Sequence, residues 1–216
     1  MVGENKILTP RTRTVSTGNV IHQLVYRMLY GDIIRILKHK TDGTHYCAVG
    51  INPESIQWHK IAVKNLIRKD ATDLNRIIEL DVKCWESIVT QQLLRIATQA
   101  KLNVLKQAYK SRGEIFPNWC EKVAHTLVVD FSDALVVFDD IIFRKTQGML
   151  SGHPGTLVEN SDVHYALLYT IFCRAMKEKG FEQKANHDYY YNNIGLILAA
   201  DDVLLSMSQQ VSKIIR

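Results

Sequence analysis

Three features of this 216-residue chain predict a fold that mixes helices and strands, α+β or α/β. Runs rich in β-branched and aliphatic residues alternate with longer stretches whose apolar residues recur every three or four positions. Glycine and proline mark several of the boundaries. Near the C-terminal end, "IGLILAADDVLLSM" (194–207) reads as two apolar strands joined by a tight turn, a hairpin with Asp201 and Asp202 at its tip.

The elements follow in order. The chain opens basic, with Lys6, Arg11 and Arg13. Residues 16–40 place Val20, Ile21, Leu24, Val25, Met28, Leu29, Ile33, Ile36 and Leu37 at helical spacing, with Ser16 or Thr17 placed to cap. "THYCAVG" predicts a short strand, after which Asn52 caps and Pro53 starts a helix carrying Trp58, Ile61, Ala62 and Leu66. "NRIIELDVKCWES" predicts a strand ending in Asp81, followed by a long helix from about Ser87 to Tyr109. "SRGEIFPNWC" is a loop, and "HTLVVDFSDALVVFDDIIFRK" is apolar and β-branched enough for one or two strands. After the glycine-rich loop "TQGMLSGHPGT", a helix is expected from Thr156 to Lys179. Its inward residues are Leu167, Leu168, Ile171, Phe172 and Met176, and Gly180 is its stop. "FEQKANHDYYYNN" is a polar connection to the hairpin.

Composition sets the class. Hydrophobic residues make up 46% and charged residues 23%, as in an ordinary globular protein, and the length suits one domain or part of a larger one. The net charge of +5 leans toward an anionic partner such as nucleic acid. Cys47, Cys84, Cys120 and Cys173 form no CxxC pair, which points to reduced thiols rather than a disulfide frame or a zinc site. No segment reaches the ~18 to 20 apolar residues needed to span a bilayer, so a soluble, cytoplasmic protein is expected.

Adjacent aspartates at a hairpin tip have two readings. Aspartate is a common turn residue. Neighbouring carboxylates also repel by roughly 1 to 4 kcal/mol, and a hard divalent cation removes that cost. The second reading needs a third carboxylate, and Asp81 at its strand end supplies one. Between the two, Thr156 and Asn160 lie four apart on one helix face, with Ser151 and Gly152 in the loop before them. Hydroxyls and an amide beside carboxylates suit a sugar next to metal-bound phosphates.

This ordered set resembles the palm of a picornavirus-like viral RNA-dependent RNA polymerase. "LDVKCWES" resembles the first palm motif, an aspartate followed five residues later by a second acid. "GMLSGHPGTLVENS" resembles the second, with Ser-Gly, Thr and Asn-Ser, and "LILAADDVLLS" resembles the third, a Gly-Asp-Asp hairpin. "RTRTVSTGNVIHQLVYRMLYGDII" resembles the basic fingers motif, and "AVGINPESIQWHKI" the segment after it. The likeness runs from Lys6 to Met207.

The resemblance implies an α+β palm over residues 71–216 and part of the fingers over residues 1–70. It implies two-metal nucleotidyl transfer on an RNA template-primer, with nucleoside triphosphates as substrates. Asp81, Asp201 and Asp202 would hold Mg2+, or Mn2+. Arg11 and Arg13 would contact the triphosphate. Glu86, Ser151, Gly152, Thr156 and Asn160 would line the ribose and nucleotide site. "VVDFSDALVVFDD" also offers aspartates (Asp130, Asp133, Asp139, Asp140), but stands too close to Ser151 to leave room for the helix between the first two motifs.

Two residues depart from the family pattern: Ala200 stands where the hairpin has glycine, and Glu86 where aspartate is usual. No thumb, primer grip or N-terminal fingers is recognisable. The expectation is therefore a piece of a longer polymerase or polyprotein, or a degenerate copy of a viral gene. The alternative is a catalytically inactive RNA-binding or interaction module. A serine hydrolase built on Ser151 is disfavoured, because "GMLSG" sets the serine one residue off the GxSxG pattern.

Overall fold

The computed structural model describes residues 19–39, 45–52, 54–66, 77–83, 85–149 and 152–215. Arg11, Arg13 and Ser151, the cap expected at Ser16 or Thr17, and Pro53, expected to start the second helix, lie outside these residues.

Helix α1 spans Val20–His39. Asn19 caps it: its Oδ1 accepts the Ile21 N–H at 2.8 Å, satisfying one of the unpaired amides of the first turn. Tyr26, Tyr30 and Ile34, spaced four apart, form its buried face, whereas Ile21, Leu24, Met28 and Ile36 are exposed. The strand expected at "THYCAVG" reduces to a single parallel bridge from Cys47 to Leu198. Helix α2 starts at Ile56, later than expected, with Ser55 as its N-cap, and runs to Ile61 before a π-helical turn, Ala62–Leu66.

Strand β1 (Ile77–Asp81) ends on Asp81 as expected. The helix expected from Ser87 is two helices, α3 (Trp85–Ile88) and α4 (Gln91–Ser111). Thr90 separates them, its hydroxyl accepting the Leu93 N–H and so capping α4. The stretch "HTLVVDFS", expected as strand, belongs to helix α5 (Asn118–Ser132). Its Cys120, Ala124, Leu127, Val128 and Phe131 recur at helical spacing and are buried, so burial overrides β propensity. The following "ALVVFDDIIFRK" forms the hairpin β2 (Ala134–Phe138) and β3 (Ile141–Lys145).

Helix α6 spans Thr156–Glu178 and ends before Gly180, at φ +79°. Phe172 and Met176 are buried, but Ile171 faces outward. The expected polar connection holds a 3-10 turn (Glu182–Lys184) and helix α7 (His187–Asn193), whose Tyr190 is buried. Strands β4 (Ile194–Ala199) and β5 (Asp202–Met207) make the C-terminal hairpin, and α8 (Gln209–Ile215) follows.

β1, β5 and β4 form an antiparallel sheet in that order. Because partners in register share a face, Leu196, Leu198, Val203 and Leu205 lie on one side. They pack on Phe172 and Met176 of α6, Tyr190 of α7 and Val211 of α8. Ile197 of the opposite side packs with Ala48, Ile61 and Leu66. Asp81, Ala199 and Asp202 share that second side, at the turn end of the sheet. A separate, larger core joins α1, α4, α5 and the first turns of α6. No helix among the described residues is long and apolar enough to cross a membrane.

Candidate active site

Asp81 and Asp202 stand directly opposite each other in the β1–β5 ladder. Such partners have side chains on the same face and Cα atoms about 4.5 to 5.5 Å apart, where like charges are unfavourable. Asp201 occupies the second position of the two-residue turn between β4 and β5. Among the described residues, no lysine or arginine forms an ion pair with Asp81, Asp201 or Asp202. The side chains of Asp81 and Asp202 are exposed and that of Asp201 partly so.

As placed, no three His, Cys, Asp or Glu side chains among the described residues converge closely enough to hold a metal ion. The donor set nevertheless fits a hard cation: carboxylate oxygens only, two of them placed on one face by strand register, with no ion pair to lysine or arginine among the described residues.

Ala200 fills the first position of the turn at φ +64°, the left-handed region. Positive φ at that position alone is the signature of a type II′ hairpin turn, which takes glycine there. The turn leans on α6. The Ala200 N–H donates to Ser161 Oγ (3.1 Å), and the Ala200 carbonyl lies 3.0 Å from His164 Nδ1.

The helix expected at Thr156 does start there, placing Thr156 and Asn160 one turn apart. The Thr156 hydroxyl donates to the His153 carbonyl at 2.9 Å, fastening the loop to the helix. Asn160 is buried, and its Oδ1 has no hydrogen-bond partner. Gly152 is partly buried in the preceding turn. Glu86 sits in the short helix α3.

Sequence reasoning missed the charges that anchor α6. Glu159 and Asp162 flank Asn160 and Ser161, and Lys101 of α4 bridges them at 2.9 and 2.5 Å. Tyr26 donates to Glu159 (2.6 Å) and Tyr46 to Asp162 (2.8 Å). Burial and the adjacent carboxylates raise both tyrosines well above the ordinary phenol range, so they stay donors. The two carboxylates outweigh the cost of burying the Lys101 ammonium and hold it protonated. The available signal was two acids three residues apart on an otherwise inward-facing helix. His153, in the loop before α6, is buried against Tyr26 and Phe131, and burial drops its pKa to about 2.

Residues 2–215 match a family model described as viral RNA-dependent RNA polymerase. The chain is 26% identical, over 93% of its length, to a genome polyprotein of rice tungro spherical virus (strain A). It is 24% identical, over 96%, to that of human hepatitis A virus genotype IIIB, and 20%, over 95%, to the RNA1 polyprotein of broad bean wilt virus 1. It spans 5%, 8% and 10% of those three polyproteins. In fold it is similar to a sicinivirus 3Dpol RNA-dependent RNA polymerase, with a TM-score of 0.61 and 16% identity, covering 98% of this chain and 40% of that one.

Proposed function

The chain belongs to the viral RNA-dependent RNA polymerase family, in its picornavirus-like branch, and on that premise we propose that it is the palm and partial fingers of such an enzyme. Residues 1–70 would be the fingers portion and 71–216 the palm. The whole would extend an RNA primer on an RNA template. Asp81 and Asp201, assisted by Asp202, would hold Mg2+ or Mn2+, which when bound activates the primer 3′-hydroxyl and neutralises the leaving pyrophosphate.

The chain's own residues would do the rest. Strand register presents Asp81 and Asp202 on one face, so the carboxylates need no large rearrangement to converge. Asn160, a buried acceptor without a partner, would take the ribose hydroxyl together with Glu86, Ser151, Gly152 and Thr156. A 2′-hydroxyl recognised there is what separates RNA from DNA precursors. Arg11 and Arg13 would grip the triphosphate, which guanidinium forks suit.

The observation that carries this reading is the in-register Asp81–Asp202 pair beside Asp201, without a compensating cation among the described residues. Primer extension on a primed RNA template with Mg2+ or Mn2+ tests it. Incorporation that Asp201→Asn abolishes supports the polymerase reading. The absence of incorporation by the chain as it stands and by Ala200→Gly, with RNA binding retained, favours the second reading, an inactive RNA-binding module. Ala200 at a position that demands positive φ is the feature in its favour.

A further inference from the structure

The turn carrying Asp201 is not fixed by its own strands alone. Ala200 is buried, and both of its backbone polar groups are taken by one face of α6, through Ser161 and His164 three residues apart. Ser161 in turn donates to the Leu157 carbonyl at 3.0 Å, leaving its oxygen lone pairs for the Ala200 N–H. His164 faces a carbonyl through Nδ1, so that nitrogen carries the hydrogen, while Nε2 has no partner.

The imidazole is also held in plane. It stacks on the Trp85 indole with centroids 3.5 Å apart and planes 11° from parallel. Trp85 is buried and opens α3, four residues beyond Asp81. A ring locked face to face cannot swing about its long axis, so the stack aims Nδ1–H at Ala200. The chain of contacts Trp85–His164–Ala200 thereby links the end of β1 to the hairpin turn.

We propose that Ser161 and His164 are positioning residues for Asp201, holding the turn that carries it against α6 through the two backbone polar groups of Ala200. The inference rests on reading Asp201 as a metal ligand. Errors of about 1 Å in such a constellation are costly, and a two-residue turn with an alanine at positive φ needs outside support to keep one geometry.

Four variants of the chain separate positioning from bulk stability. Ser161→Ala removes the acceptor for the Ala200 N–H. His164→Phe keeps a ring against Trp85 but loses the donor, His164→Asn restores a donor near the Nδ1 position, and Asp201→Asn removes the ligand. The first readout needs no metal: hydrogen exchange at the Ala200 amide, with the Leu198 amide as internal reference. Exchange at Ala200 is expected to quicken roughly tenfold in Ser161→Ala, the worth of one hydrogen bond, while Leu198 is unchanged. The second is Mn2+ affinity by paramagnetic relaxation, expected to weaken about tenfold in His164→Phe and to recover in His164→Asn. Unchanged Ala200 exchange in Ser161→Ala overturns the proposal. So does unchanged Mn2+ affinity in His164→Phe when Asp201→Asn abolishes binding. If Asp201→Asn leaves Mn2+ binding intact, the metal reading falls, and the exchange data still decide whether Ser161 holds the turn.

Discussion

A methyl group placed on Gly195 would lie 1.8 Å from the carbonyl oxygen of Asn65 and 2.4 Å from Ser206 Oγ. β4 and the π-helical turn therefore touch backbone to backbone, and Ser206 reinforces the contact by donating to the Leu66 carbonyl at 2.9 Å. The obstructing atom is main chain and cannot rotate away. Gly195→Ala is expected to destabilise the fold by about 1 to 3 kcal/mol or more, as overpacking does. Urea unfolding followed by circular dichroism measures this, and a midpoint unchanged from the unmodified chain would contradict the contact.

Ala200→Gly should act in the opposite sense. The left-handed conformation costs an L-residue roughly 1 to 2 kcal/mol, part of which glycine returns through its freer unfolded state. A net gain of about 0.5 to 1 kcal/mol is expected in the same unfolding experiment. A loss of stability would mean that the buried methyl of Ala200 contributes more by packing than its backbone costs.

Among the described residues, Lys101 is the one cation paired with the buried Glu159, at 2.9 Å, and the partly buried Asp162, at 2.5 Å. Lys101→Met leaves the buried Glu159 and the partly buried Asp162 without it, and removing one partner of such a network costs about 3 to 5 kcal/mol. Adding Glu159→Gln and Asp162→Asn to Lys101→Met should recover a large part of that loss, since no charge then remains to desolvate. Thermal melting of the single and triple variants tests this, and equal melting temperatures would count against charge as the cause.

The parts of the fold legible in sequence were those fixed by local pattern. The strand ending at Asp81, the helix starting at Thr156 and the hairpin at Ile194–Met207 all follow from periodicity and turn chemistry. Ala200 was also legible, because glycine's place in a turn is a matter of φ at one residue. What escaped depended on contacts between distant segments. "HTLVVDFS" looks like strand until α4 offers its helical stripe a partner. Nothing near Trp85 in sequence announces that it will stack on His164, and nothing near Lys101 announces Glu159 and Asp162. For the candidate site, the place of the three aspartates at the turn end of the sheet could be read in advance, and the side chains that hold the turn could not.

The last prediction concerns acid. His153 is buried against Phe131 and Tyr26, and its Nδ1 accepts the Gly155 N–H at 3.0 Å, which requires that nitrogen to be unprotonated. Burial, with His22 and Arg27 nearby, lowers its pKa from 6.5 to about 2. Burial also lowers His22 and His164. All three bind a proton more readily unfolded than folded. Their contribution to stability is therefore complete above pH 6.5 and is lost as pH falls below it, for His153 across the window from 6.5 down to about 2. His153 therefore weakens the folded state progressively as the pH falls through that window. Unfolding free energies at pH 8, 6.5 and 5 should fall slightly over the first interval and more steeply over the second. His153→Asn keeps an acceptor for Gly155 while opening a cavity, so it should be less stable at pH 8 yet show a shallower fall between pH 6.5 and 5. An equally steep fall in that variant would move the acid sensitivity to His22 and His164.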